Sequence, residues 1–234
     1  MYDDVSELSY FQSLVADDNQ IPLIEAAAAL AQDEFPGLDL QQVLSDIDIL
    51  AQRLSERCRN ASTELKRLEA TIAFFYREVG FAGNRNNYYD PANSFIHRVL
   101  DTRRGIPISL AVVFIELSRT VGLDTEGIAF PGHFLLKVNL HEGTVIIDPF
   151  TGHSLTSEDI HERLEPFRES LRRQADSLAD AEHTDQAFLP VTSNRQILLR
   201  MASNLLHIYR QAGERDKASR VQQRIDILTR ASAA

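Results

Sequence analysis

Apolar residues recur every three or four positions through most of the first 80 residues, which predicts a run of helices. An alanine-rich stretch from Leu23 to Ala31 follows Ile21-Pro22 and stops near Phe35-Pro36-Gly37. Leu40, Val43, Leu44, Ile47, Leu50, Ala51 and Leu54 then trace one face of an amphipathic helix, with its acids opposite. A third helix is predicted through Leu65, Leu68, Ile72, Phe75 and Val79, and Gly80 is a natural stop. Residues 81–94 break the period: Gly, Asn, Asp and Pro crowd together and mark a loop. A short helix from Ser94 to about Arg103 is broken by Gly105-Ile106-Pro107, and Pro107 opens a new helix that reaches Val121 before Gly122. Proline suits the first helical position because its missing N–H has no partner there anyway.

Alternation replaces the helical period in three stretches, Thr125–Phe130, His133–Leu140 and Thr144–Ile147, which read as strands. From Ser157 the pattern is helical again, with a polar stretch at Ala175–Gln186. Arg195–Arg210 and Glu214–Arg230 form a helical hairpin around Gly213. Leu198, Leu199, Ala202, Leu205, Leu206 and Tyr209 of its first arm face Ala218, Val221, Ile225 and Leu228 of its second. The hairpin suggests one tetratricopeptide-like unit, and a single unit cannot bury its own face, so it must pack on something. The expected class is α+β and mostly helical. A small antiparallel sheet is expected against the Pro107–Val121 helix, burying Leu110, Val113, Phe114 and Leu117. Three segments, 1–80, 81–160 and 161–234, are expected to pack as one unit.

With 44% apolar and 25% charged residues among 234, wholesale disorder is excluded. A single cysteine, Cys58, excludes a disulfide framework and reads as a bystander at the end of the second helix. The acidic start lacks the basic-then-apolar order of a leader, and no run is long enough to span a bilayer. The cytoplasm is therefore the expected address, with no membrane partner. The net charge of −10 is uneven: residues 1–60 carry −9, whereas residues 190–234 carry +5. An acidic front repels a phosphate backbone, so no nucleic-acid partner is expected, and the basic tail is expected to dock on the acidic front.

Three polar residues of the middle section stand at places that can carry chemistry. Ser109 lies in the first turn of a helix, His133 begins a strand and Asp148 ends the next one. A nucleophile at a helix start, a base and an orienting carboxylate make the triad logic of acyl transfer. Side chains alternate along a strand, so His133 and Asp148 share a face only if paired residue numbers sum to an odd value. A tight turn at Glu142-Gly143 pairs Lys137 with Asp148 and leaves His133 roughly 13 Å away along the strand. A four-residue loop from Asn139 to Glu142 pairs His133 with Asp148 directly, and that longer loop is the expectation here. Each residue also has a plain role: serine caps helix starts, aspartate before proline opens turns, and a histidine after Pro-Gly can satisfy local backbone. From spacing alone those plain roles outweigh a triad. A metal site from His133, His141, Asp148 and His153 is weaker still, for no two histidines have helix-face spacing and no thiolate is near.

Taken together, certain blocks are distinctive: Asn93-Ser94-Phe95-Ile96, Arg103-Arg104-Gly105-Ile106-Pro107-Ile108-Ser109-Leu110, Pro131-Gly132-His133-Phe134 and Ile147-Asp148-Pro149-Phe150. In this order and spacing the chain resembles the bacterial SirB-type family of the transglutaminase-like superfamily, which has a papain-like core. The resemblance covers nearly the whole chain. It implies that Ser109 stands where the superfamily has a cysteine nucleophile, His133 where it has the base, and Asp148 where it has the orienting residue. A helix start lowers a thiol pKa but cannot ionise a serine hydroxyl, and residues 90–108 contain no Gln to help an oxyanion. The resemblance with that departure favours a catalytically silent module that binds a protein or peptide in the old cleft and needs no cofactor. A Ser-His-Asp acyl hydrolase or acyltransferase is the alternative. A helical scaffold protein, whose core only packs, is a third reading.

Overall fold

A computed structural model describes residues 6–167 and 189–230. The polar stretch at Ala175–Gln186 lies outside the described residues. In chain order the helices are α1 (Glu7–Leu14), α2 (Leu23–Ala29), α3 (Leu40–Cys58), α4 (Glu64–Ile72), α5 (Ile96–Thr102), α6 (Pro107–Thr120), α7 (Ser157–Leu164), α8 (Asn194–Ala212) and α9 (Arg215–Arg230). The strands are β1 (Ala82–Gly83), β2 (Arg104–Gly105), β3 (Asp124–Ile128), β4 (Leu135–Leu140), β5 (Gly143–Asp148), β6 (His153–Leu155) and β7 (Val191–Thr192). The protein is α+β and mostly helical, as its periodicities predict. One difference lies in the third predicted helix. It is α-helical only to Ile72 and continues as a π-helical stretch, Ala73–Glu78, that turns Phe74 and Phe75 into the core.

The sheet is antiparallel with strand order β6-β5-β4-β3-β7, and β1 and β2 form a separate parallel pair. Its two faces are covered differently. Leu136, Val138 and Ile147 join the main core on the α6 side, whereas Ile128 and Leu135 meet Ile160 and Leu164 of α7 on the other. Helix α6 is buried nearly all round: Leu110, Val113, Phe114 and Leu117 are inside as the spacing requires, and so are Ala111, Val112 and Ile115. A helix that is apolar on every side belongs in the middle of a domain, and α6 touches β3 and β4 as well as α2, α3, α5 and α8.

The α8–α9 hairpin sits on the N-terminal helices, and the charge asymmetry resolves into named pairs. Lys217 Nζ contacts Glu34 at 2.6 Å, Arg224 Nε contacts Asp33 at 2.6 Å, and Arg195 pairs with Asp18. Arg224 is fully buried and its guanidinium lies 4.8 Å from the centre of the Phe11 ring. Arg195 also donates to the carbonyls of Val15 and Leu228, which ties the first and last helices together through one side chain. One hydrophobic core therefore runs from Phe11 to Leu228. No described helix is long and apolar enough to cross a membrane.

Candidate active site

The start of α6 is built by three neighbouring segments. Gly105 has no room for a side chain, because a Cβ there would lie 2.7 Å from the Ser109 hydroxyl. Pro107 occupies the first turn. Asn93, buried in the loop before α5, donates its side-chain amide to the carbonyls of Asn87 at 2.6 Å and Tyr88 at 3.2 Å, while its Oδ1 accepts from Asn84 at 2.9 Å. The backbone carbonyl of the same residue accepts the Ser109 hydroxyl at 2.6 Å. Asn93 thus fixes both the 84–90 loop and the helix start. Its buried, fully bonded amide was foreshadowed only by its place in a distinctive block.

Ser109 has no exposed surface. Besides donating to Asn93, its Oγ accepts the Ile106 N–H at 3.1 Å, so the hydroxyl serves as a helix-start cap. His133 is not among its hydrogen-bond partners. The cleft in front of the helix has a volume of about 230 Å3, and it is lined there by Ile106, Pro107 and Ile108, with His133 and Gly132 also in its walls. The triad contact expected of Ser109 is therefore not made.

His133 and Asp148 do meet, with Nε2 and Oδ1 2.9 Å apart. The route differs from the expected one. Leu136 pairs with Ile147 and Leu140 with Gly143, leaving a two-residue turn of His141 and Glu142 in place of the longer loop. The paired numbers sum to 283, still odd, so the face is conserved. His133 itself lies before β4, in a turn closed by its N–H on the Phe130 carbonyl at 3.1 Å, with Gly132 at φ +66°. Because His133 is off the strand, it reaches the carboxylate without direct pairing. Behind it, the Phe134 ring fits only because Gly127 has no side chain, for a Cβ there would come within 2.6 Å of the ring.

Asp148 is held by more than histidine. Its Oδ1 also accepts the Phe150 N–H at 2.9 Å, and Arg163 of α7 reaches Oδ2 at 3.0 Å, a partner with no sequence signal because it comes from a separate helix. Burial alone would raise this carboxyl. The hydrogen bond and charge of His133, with those of Phe150 N–H and Arg163, outweigh burial and hold it down at about 2. A carboxyl depressed from 3.8 to about 2 on folding contributes stability above pH 4 that disappears as the pH falls towards 2. That contribution is about 2 kcal/mol. Asp148→Asn should therefore cost about that much in urea unfolding at pH 6, and the gap from the parent protein should narrow as the pH falls below 4. A gap of constant size from pH 6 to pH 2 would contradict the linkage.

Among the described residues, no group of three or more His, Cys, Asp or Glu is placed to hold a metal ion. Cys58 is buried, and burial pushes its thiol pKa up. The cleft also carries three residues that the sequence did not single out, Tyr88, Arg200 and Asn204. Arg200 and Asn204 come from α8, more than 60 residues from His133 in sequence, so only the docking of the tail brings them there.

Comparison with known proteins agrees with this architecture. A UPF0162 protein of Xylella fastidiosa is 34% identical over 217 residues, 89% of this chain and 72% of that protein. A UPF0162 protein of Pseudomonas aeruginosa is 29% identical over 212 residues, 91% and 74% of the two chains. Human F-box only protein 21 is 30% identical over 155 residues, 62% of this chain but 22% of that longer protein. No solved structure matches. The family profile described as the transglutaminase-like superfamily matches residues 41–203, which span the helix start, the His133–Asp148 pair and the named cleft residues up to Arg200, and the chain belongs to that superfamily.

Proposed function

We propose that this protein is a catalytically silent transglutaminase-like module that binds a protein or peptide segment in the cleft at the start of α6. One observation carries the reading. The helix start presents Ile106, Pro107 and Ile108 to the cleft that His133 lines, and none of the three is a nucleophile, while the Ser109 hydroxyl is buried and bonded to backbone. The His133–Asp148 pair then stabilises the fold as a satisfied polar pair. The matching stretch also occurs inside the longer F-box only protein 21, as a module would. Within the superfamily, the Gly-Ile-Pro, Pro-Gly-His-Phe and Asp-Pro-Phe blocks favour the SirB-type family, with the α8–α9 hairpin as one tetratricopeptide-like unit. The proposed setting is the cytoplasm.

Selection from a random peptide library on the full chain tests this reading. Selected peptides should bind the parent protein and lose binding to Asn204→Trp, which places an indole in the cleft, while the thermal midpoint stays unchanged. Acyl hydrolysis or transfer should be undetectable, and a fluorophosphonate should leave Ser109 unlabelled. Turnover that disappears in Ser109→Ala or His133→Ala with the fold intact would overturn the reading, and so would peptide binding indifferent to Asn204→Trp.

A further inference from the structure

Arg200 stands apart from the other buried cations of the tail, which are paired. Arg195, Arg224 and Lys217 each have a carboxylate from the acidic front. Arg200 is half-buried and lines the cleft, yet among the described residues it has no carboxylate partner. Its Nη2 donates to the carbonyls of His133 at 2.6 Å and Phe130 at 3.3 Å, which clamps the guanidinium in place beside the Phe134 ring, 5.7 Å from its centre. Nε and Nη1 have no acceptor among the described residues. Asp148 cannot serve as the missing counter-ion, since His133, Arg163 and the Phe150 N–H already occupy it. A positioned guanidinium with open donors is a receptor for a planar, two-oxygen anion.

We infer that Arg200 receives a carboxylate of the peptide bound in the cleft; this rests on the peptide-binding reading above. The charge sets the class of anion. Among the described residues that line the cleft, Arg200 is the sole Lys or Arg, which fits a monoanion and leaves a phosphate dianion undercompensated. The size sets its attachment. About 230 Å3 lies below the ~300–1,000 Å3 of pockets that enclose a whole small ligand, so the cleft takes one end or one side chain of a longer molecule. At the mouth, Tyr88 and the largely exposed Tyr89 meet edge to face and offer an aromatic lip for the flanking residue. The carboxylate can come from a chain terminus or from an Asp or Glu side chain.

The test follows backbone amide signals of Ile108, Gly132 and Phe134, and the Arg200 Nε–H, in the labelled full chain. Three probes are titrated: acetyl-Gly-Gly-Leu as the free acid, the same peptide as its C-terminal amide, and acetyl-Gly-Glu-Gly amide. The free acid, the glutamate peptide or both should shift these signals saturably, with affinity roughly tenfold or more above the uncharged amide. The advantage should shrink in about 0.5 M salt. A terminal source is assigned if only the free acid gains, and a side-chain source if only the glutamate peptide does. Arg200→Gln should remove the advantage, while the comparison on the parent protein stands even if that variant fails to fold. Equal shifts with the uncharged amide would overturn the carboxylate inference and leave the peptide reading intact. Silence from all three probes would also overturn it, and the library selection would then decide the peptide reading separately.

Discussion

Removing residues 191–234 should abolish the cooperative unfolding transition and leave a protein that binds hydrophobic dyes and aggregates. The segment buries Ile197, Leu198, Met201, Leu205, Leu206, Tyr209, Val221 and Leu228, partly within the hairpin and partly against α2, α6 and the loop before α5. Eight such side chains contribute on the order of 12 kcal/mol or more. That matches the entire net stability of roughly 5–15 kcal/mol expected for a domain. The loss is not confined to apolar area. Asp33, Glu34 and Asp18 would lose their cations, β3 would lose its edge partner β7, and Arg200 would leave the cleft. A truncated protein with an unchanged urea midpoint and slope would show that the hairpin is an appendage. It would also remove the basis for reading +5 against −9 as internal docking.

The helices were legible because each carries its own period and stop signals: Leu40 to Leu54 mark α3 along one face, and Gly122 and Gly213 end α6 and α8 with left-handed backbone at φ +72° and +75°. The docking of the tail was legible from its apolar seam and its charge together, although which acid meets which base was not. Non-local pairing was the part that local signals could not supply. The two-residue strands β1, β2 and β7 have too few residues to show alternation, and their partners are distant in sequence. The contact of His133 with Asp148 was anticipated, whereas the register behind it was not, because His133 was placed on the strand and the chain enters the sheet two residues later, at Leu135. Arg163 and Arg200 enter the site from α7 and α8, so no spacing near the motifs announces them. Ser109 shows the finest limit. Its place in the first turn of α6 could be read, but a change of one residue rotates a helix position by about 100°. Which of Pro107, Ile108 and Ser109 faces the cleft is set by how α6 packs on the sheet and on α3.

Ser109→Ala should therefore behave as a core mutation and not as the loss of a nucleophile. The hydroxyl gives Asn93 O a hydrogen bond at 2.6 Å and accepts one from Ile106 N at 3.1 Å, all in a site without exposed surface. Alanine removes both bonds where water cannot replace them and leaves the Ile106 N–H and the Asn93 carbonyl only their long bond to each other, 3.4 Å, at a cost of about 1–3 kcal/mol. Urea unfolding should register that loss, and peptide binding in the cleft should persist in the folded fraction. Ser109→Cys extends the test. A thiol there is larger than the hydroxyl against which Gly105 closes, and it has no path to the cleft, so alkylation by iodoacetamide should be slow and limited by local opening. The helix start would activate a thiol only if it could reach solvent and His133. Rapid alkylation with a depressed thiol pKa would mean that position 109 opens to the imidazole. A Ser-His-Asp triad would then return as the better account of the site, and the stability loss in Ser109→Ala would need to be separated from a loss of turnover.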